Sequence, residues 1–133
     1  MALQALGTLF VERTEVEQGI EDIGHIAEAA RSGRRVVFFP EGTLTRAPGL
    51  MPFKLGAFAV AASAGLPVIP VALRGTRSIL RGGQWFPRRS RITVTIGEPV
   101  ASQGATLAEA ACLRDAVRAI VLAGCGEPDL TPR

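Results

Sequence analysis

The run Val36-Val37-Phe38-Phe39, closed by Pro40 and followed by Glu41-Gly42-Thr43, constrains this chain more than any other stretch. Its apolar residues, β-branched then aromatic, read as a buried strand, and proline ends it because it cannot donate to a ladder. A carboxylate, a glycine and a hydroxyl then fall at the strand's carboxyl end, where open α/β sheets gather ligands. Between Arg34 and Gly97 the cations are Arg34, Arg35, Arg46, Lys54, Arg74, Arg77, Arg81, Arg88, Arg89 and Arg91, and Glu41 is the single acid. A lone carboxylate in a basic field points to an anionic ligand or surface. Taken alone, Glu41-Gly42-Thr43 suits a solvated turn better, and it is the setting after a buried strand and among arginines that favours function.

Strand-like and helix-like segments alternate around this run. Leu6 to Val11 reads as a short strand that leaves Arg13 at its tip. Val16, Ile20, Ile23, Ala27 and Ala30 share a helical face, with Thr14 as N-cap and Gly33 as stop. Pro52 to Ala64 predicts a small-sided, nearly apolar helix that packs on the sheet and ends at Gly65. Pro67 to Leu73 is a further apolar strand, and Ile92 to Ile96 alternates as a strand with one buried face. A final amphipathic helix runs from about Leu107 to Leu122. This order predicts an α/β fold with a mostly parallel sheet flanked by helices and joined by right-handed crossovers. The predicted organisation is one domain over residues 1–123 and a tail or linker over 124–133. A chain of 133 residues, 47% hydrophobic, has material for one modest core.

Other classes are set aside by what is missing from the sequence. No apolar run approaches the roughly 18 to 20 residues that span a bilayer, so membrane contact is expected at the surface. Cys112 and Cys125 are too few for a disulfide scaffold and have no zinc-ligand neighbours, which suits a reducing compartment and predicts no metal site. Fourteen of the fifteen cations are arginine, a bias that suits phosphate or carboxylate recognition and that a GC-rich genome would also produce. Trp85 and Phe86 between arginines could meet a headgroup layer, stack on bases, or sit in a solvated basic loop. No Walker loop, dinucleotide fingerprint or RNA-binding signature accompanies them, which argues against nucleic acid.

Phe39 to Thr43, Pro52-Phe53-Lys54-x-Gly56-Ala57, Pro67 to Val71, and Ile96-Gly97-Glu98-Pro99 together resemble the glycerolipid acyltransferases typified by 1-acylglycerol-3-phosphate acyltransferase. Gly7 to Arg13 is similar to that family's upstream block, so the resemblance spans about residues 6 to 100. It implies that an acyl group passes from acyl-CoA or acyl-carrier protein to a hydroxyl of a lysophospholipid or glycerol phosphate, with no cofactor. It implies a ligand of the acceptor's phosphate at Arg13, contacts to its glycerol part at Glu41, Gly42 and Thr43, and a cleft shaped by Pro70. Lys54 joins this set from the second block, and Arg46 substitutes for the arginine that many members carry where Leu44 stands. The family's base, a His in a His-x-x-x-x-Asp block, has no counterpart: His25 is the only histidine, and Ala30 follows it at the spacing of the Asp. No catalytic residue is therefore assigned. The expectation is an N-terminally truncated enzyme that supplies the acceptor-binding part and is inactive alone, cytoplasmic and peripheral at the inner face of the cell membrane. The alternative is a non-catalytic module that binds anionic lipid.

Overall fold

A computed structural model describes residues 24, 26–43, 45, 47–79 and 86–131. The expected Leu6 to Val11 strand, the Thr14 cap, Arg13, His25, Arg46 and Trp85 lie outside them.

Helix α1, helical over residues 26–31, stops where the sequence says it should. Gly33 takes φ +84°, and the amides of Gly33 and Arg34 donate to the Ala30 and Ala29 carbonyls. Ile26 and Ala27 are buried with Val60, and Val36 packs against them. The run after Val36 departs from expectation. It forms no strand among the described residues, and Val37 and Phe39 are 76% and 75% exposed. Apolar content shows that a segment could be buried between strands, but not that any strand lies beside it.

Helix α2 spans Gly56–Ala64, starting later than Pro52. The Lys54 amide is committed elsewhere, donating to the Pro40 carbonyl at 2.8 Å, so the residues before Leu55 belong to a loop. Gly65, at φ 64°, ends the helix as predicted. Because α2 is apolar on several sides, it is gripped by more than one neighbour. Phe58 and Ala62 join the main core, while Val60 faces the Ile26 cluster. Its partner in the main core is the last helix rather than the sheet.

The described sheet has two strands, β1 (Val71–Arg74) and β2 (Thr93–Ile96), which pair antiparallel with Val71 opposite Ile96 and Leu73 opposite Val94. An antiparallel bridge between Val68 and Val100 extends the pairing. This corrects the expected mostly parallel sheet for the described residues, where the parallel pairing is the single bridge of Leu50 with Asp129. A parallel return needs a crossover element long enough to lie along the sheet. Among the described residues the connection holds α3, the single turn Thr76–Ile79, and the chain reverses. The alternation in β2 is real, yet all four of its residues are exposed. Val71, Leu73, Val94 and Ile96 share one face and are 46% to 70% exposed. On the opposite face Ala72 is buried under α4.

Helix α4, Leu107–Cys125, runs beyond the predicted Leu122. Thr106 caps it, its Oγ1 accepting the Glu109 amide at 3.2 Å, and Gly126 at φ 69° ends it. Ala110, Leu113 and Val117 form its buried stripe and meet Leu50, Phe53, Phe58, Ala62 and Ala72 in the main core. Burying one side chain such as Leu113 contributes about 1.5–3 kcal/mol. Gly124 lets the helix press onto β1, since a Cβ there would come within 2.9 Å of the Ala72 Cβ. After the helix the chain does not stand clear of the fold. The Leu50 amide donates to the Pro128 carbonyl at 2.8 Å, and the Leu130 amide donates back to the Leu50 carbonyl at 3.1 Å.

Candidate functional site

Two of the motif blocks meet. The Gly42 amide donates to the Phe39 carbonyl at 3.1 Å, closing a turn that presents Glu41, Gly42 and Thr43 in succession. Gly42 holds φ +69°, in the region that favours glycine, and a second constraint acts on the same residue. A Cβ at Gly42 would lie 2.7 Å from Lys54 Cε and 3.2 Å from Lys54 Nζ. The lysine stem therefore crosses directly over the glycine, while the Lys54 backbone is tied to Pro40. The result is a carboxylate, a hydroxyl and an ammonium around one turn. Glu41 is half-buried, whereas Thr43 and Lys54 are exposed, so the group opens to solvent. Among the described residues no ion pair joins Lys54 to Glu41.

The carboxylate is anchored from below. Glu41 Oε2 accepts the Met51 amide at 3.0 Å, one bond out of the several that a carboxylate can accept. The Leu50 and Met51 carbonyls in turn accept Arg118 Nη2 and Nε at 2.9 and 3.2 Å. Arg118 also donates to Asp129 and lies 5.9 Å from the Phe53 ring centroid. Alongside, Glu127 accepts the Gly49 amide at 2.8 Å and pairs with Arg77 Nε at 2.9 Å. The Arg118 hydrogen bond, helped by the Thr131 amide, holds the Asp129 carboxyl well below the usual carboxylate range. A surface pair on α4 does the same more weakly, the Arg114 guanidinium lowering its neighbour Asp115.

Of the residues singled out in the sequence, Glu41, Gly42, Thr43 and Lys54 come together. Pro70 does not join them by any described bond: it is buried at the sheet, its carbonyl accepting the Gly97 amide at 2.9 Å. Arg13 and Arg46 lie outside the described residues. Met51, Arg118, Glu127 and Asp129 were not foreseen. Their only signal was a cluster of acids after the last helix and an arginine on it, and the pairing joins positions far apart in the chain. A cleft of about 280 Å³ between α2 and the start of α4, lined by Gly56, Ala59, Val60, Ser63, Ala105, Thr106 and Leu107, touches the second motif block at Gly56 but includes none of Glu41, Gly42, Thr43 and Lys54. Among the described residues no group of His, Cys, Asp and Glu is placed to hold a metal ion, and no helix is long and apolar enough to cross a membrane.

Comparison with known proteins gives a consistent picture. The sequence profile of the family described as Acyltransferase matches residues 1–74. A chloroplastic 1-acyl-sn-glycerol-3-phosphate acyltransferase of Brassica napus is 33% identical over 107 residues, covering 80% of this chain and 31% of the relative. A putative enzyme of the same name from Caenorhabditis elegans is 30% identical over 125 residues, covering 92% of this chain and 44% of the relative. Among solved structures, the 1-acyl-sn-glycerophosphate (LPA) acyltransferase PlsC of Thermotoga maritima superposes with a TM-score of 0.72 at 26% identity, over 92% of this chain and 47% of that one. The chain thus spans less than half the length of these relatives.

Proposed function

Because the chain belongs to the acyltransferase family, we propose that it supplies the acceptor-binding part of an enzyme that acylates a lysophospholipid or glycerol phosphate. The reaction in this reading forms an ester: the acceptor's hydroxyl oxygen attacks the thioester carbonyl of acyl-CoA or acyl-carrier protein, and the thiol leaves with the hydroxyl's proton. The base for that step is the family's His-x-x-x-x-Asp, which these 133 residues do not contain, so the chain's own work is recognition. The observation that carries the reading is the crossing of Lys54 over Gly42 beside Glu41. A phosphate beside hydroxyl groups calls for a cation and a carboxylate a few ångströms apart. Glu41 accepts the glycerol hydroxyl, Thr43 adds a second polar contact, and Lys54 faces the phosphate. Arg13 is the further phosphate ligand that the family resemblance supplies, and Pro70 shapes the wall beyond. No cofactor is needed, since the donor carries the acyl group. The proposed setting is the cytoplasmic surface of the cell membrane, where such acceptors lie.

Equilibrium binding of lysophosphatidate below its micellar concentration tests this. Glu41→Ala and Lys54→Met should each weaken binding roughly tenfold, the loss of one hydrogen bond to a charged group. Equal affinity in wild type and both variants would contradict the assignment.

A further inference from the structure

A carboxylate that grips a hydroxyl has to be held in place, so its support matters as much as its presence. Glu41 is supported by one peptide group, the unit that carries the Leu50 carbonyl and the Met51 amide. The amide end donates to Glu41 Oε2 at 3.0 Å. The carbonyl end accepts Arg118 Nη2 at 2.9 Å, and the next carbonyl, that of Met51, accepts Nε at 3.2 Å. A cation at the carbonyl and an anion at the amide polarise the peptide in the same sense, so each hydrogen bond strengthens the other. The planar guanidinium fixes both carbonyls as a pair, which an ammonium cannot do. Arg118 is itself held, its side chain only 12% exposed, with Asp129 bound to Nη2 and the Phe53 ring against it.

We propose that Arg118 is the positioning residue of the acceptor site, acting on Glu41 through the Leu50–Met51 peptide. The inference rests on reading Glu41 as an acceptor ligand, but the coupling itself does not need a ligand to be seen. α4 thereby does more than cover the sheet. It sets the carboxylate of a turn that precedes it by most of the domain.

NMR of the 133-residue chain tests the coupling. Arg118→Met should speed hydrogen exchange at the Met51 amide roughly tenfold or more, the effect of weakening a charge-assisted bond, while β1 amides keep their protection. Arg118→Lys should fall between, keeping charge but losing the fork. Combining Arg118→Met with Glu41→Gln should cost less than the two effects summed. An unchanged Met51 amide in a folded Arg118→Met protein, or strict additivity, would overturn the proposal. Should Arg118→Met not fold, the reciprocal measurement decides: Glu41→Ala should shift the Arg118 Nε–H resonance, and an unmoved resonance refutes the coupling. Lysophosphatidate affinity is read in the same samples. Coupling without any binding by wild type would sink the acceptor reading and leave the positioning role intact.

Discussion

Gly42 concentrates the demands on the site in one residue. Its φ of +69° disfavours a side chain, and the flexible Lys54 stem that crosses it would have to move aside for one. Gly42→Ala should therefore cost roughly 1–2 kcal/mol from the left-handed backbone alone, and it should push the lysine off the turn. Urea unfolding measures the first effect and lysophosphatidate affinity the second. A variant as stable as wild type, binding equally well, would mean that the turn is not held as described. At this scale the sequence was informative where chemistry is local. Glu41, Gly42 and Thr43 stood out because a carboxylate, a glycine and a hydroxyl follow an apolar run, and Lys54 entered through the resemblance of its block. Arg118 was not legible, because its role depends on carbonyls at Leu50 and Met51, and nothing near Arg118 in the sequence points to them.

Among the elements, α4 is the one on which both the core and the site depend. Its start relies on one side-chain bond, the Glu109 amide donating to Thr106 Oγ1, so Thr106→Ala should cost about 1 kcal/mol. Leu113→Ala, which removes a buried side chain from the centre of the core, should cost more, about 2–5 kcal/mol. Thermal or denaturant unfolding checks the order, and a Thr106 effect larger than the Leu113 effect would show that the stripe has been misassigned. Helix ends were readable in advance because Gly33 and Gly65 stop helices by a local backbone mechanism. Strand pairing was less so. The Val36 run and the direction of β2 depend on which neighbour is present and on how the connection folds, and neither is written in the run itself.

At the scale of the whole molecule, the segments at residues 49–51 and 127–130 are stitched by backbone bonds and by Arg118 with Asp129. Asp129 titrates lower in the folded chain than in the unfolded one, chiefly through Arg118. Its contribution to stability is therefore present above the unfolded value, about pH 3.9, and is lost as pH falls through the lower folded value. Asp129→Asn should destabilise the chain near neutral pH, and the gap to wild type should close on acidification below about pH 4. Asp115→Asn, altering a solvent-exposed pair, should change little at any pH. A gap that widens with acid would reverse the assignment. The sheet face of Val71, Leu73, Val94 and Ile96 makes a separate prediction at this scale. The folded chain should bind the dye ANS, and Val94→Lys should reduce that signal without lowering stability.

The most direct test of the central claim, that one turn gathers a carboxylate and a cation to hold a phosphorylated glycerol, is an NMR titration of the chain with sn-glycerol 3-phosphate. The account predicts saturable shifts at the amides of Glu41, Gly42, Thr43 and Met51 and at the Lys54 side chain, abolished by Glu41→Ala. Saturable shifts confined to other residues, or shifts that survive Glu41→Ala unchanged, would contradict it.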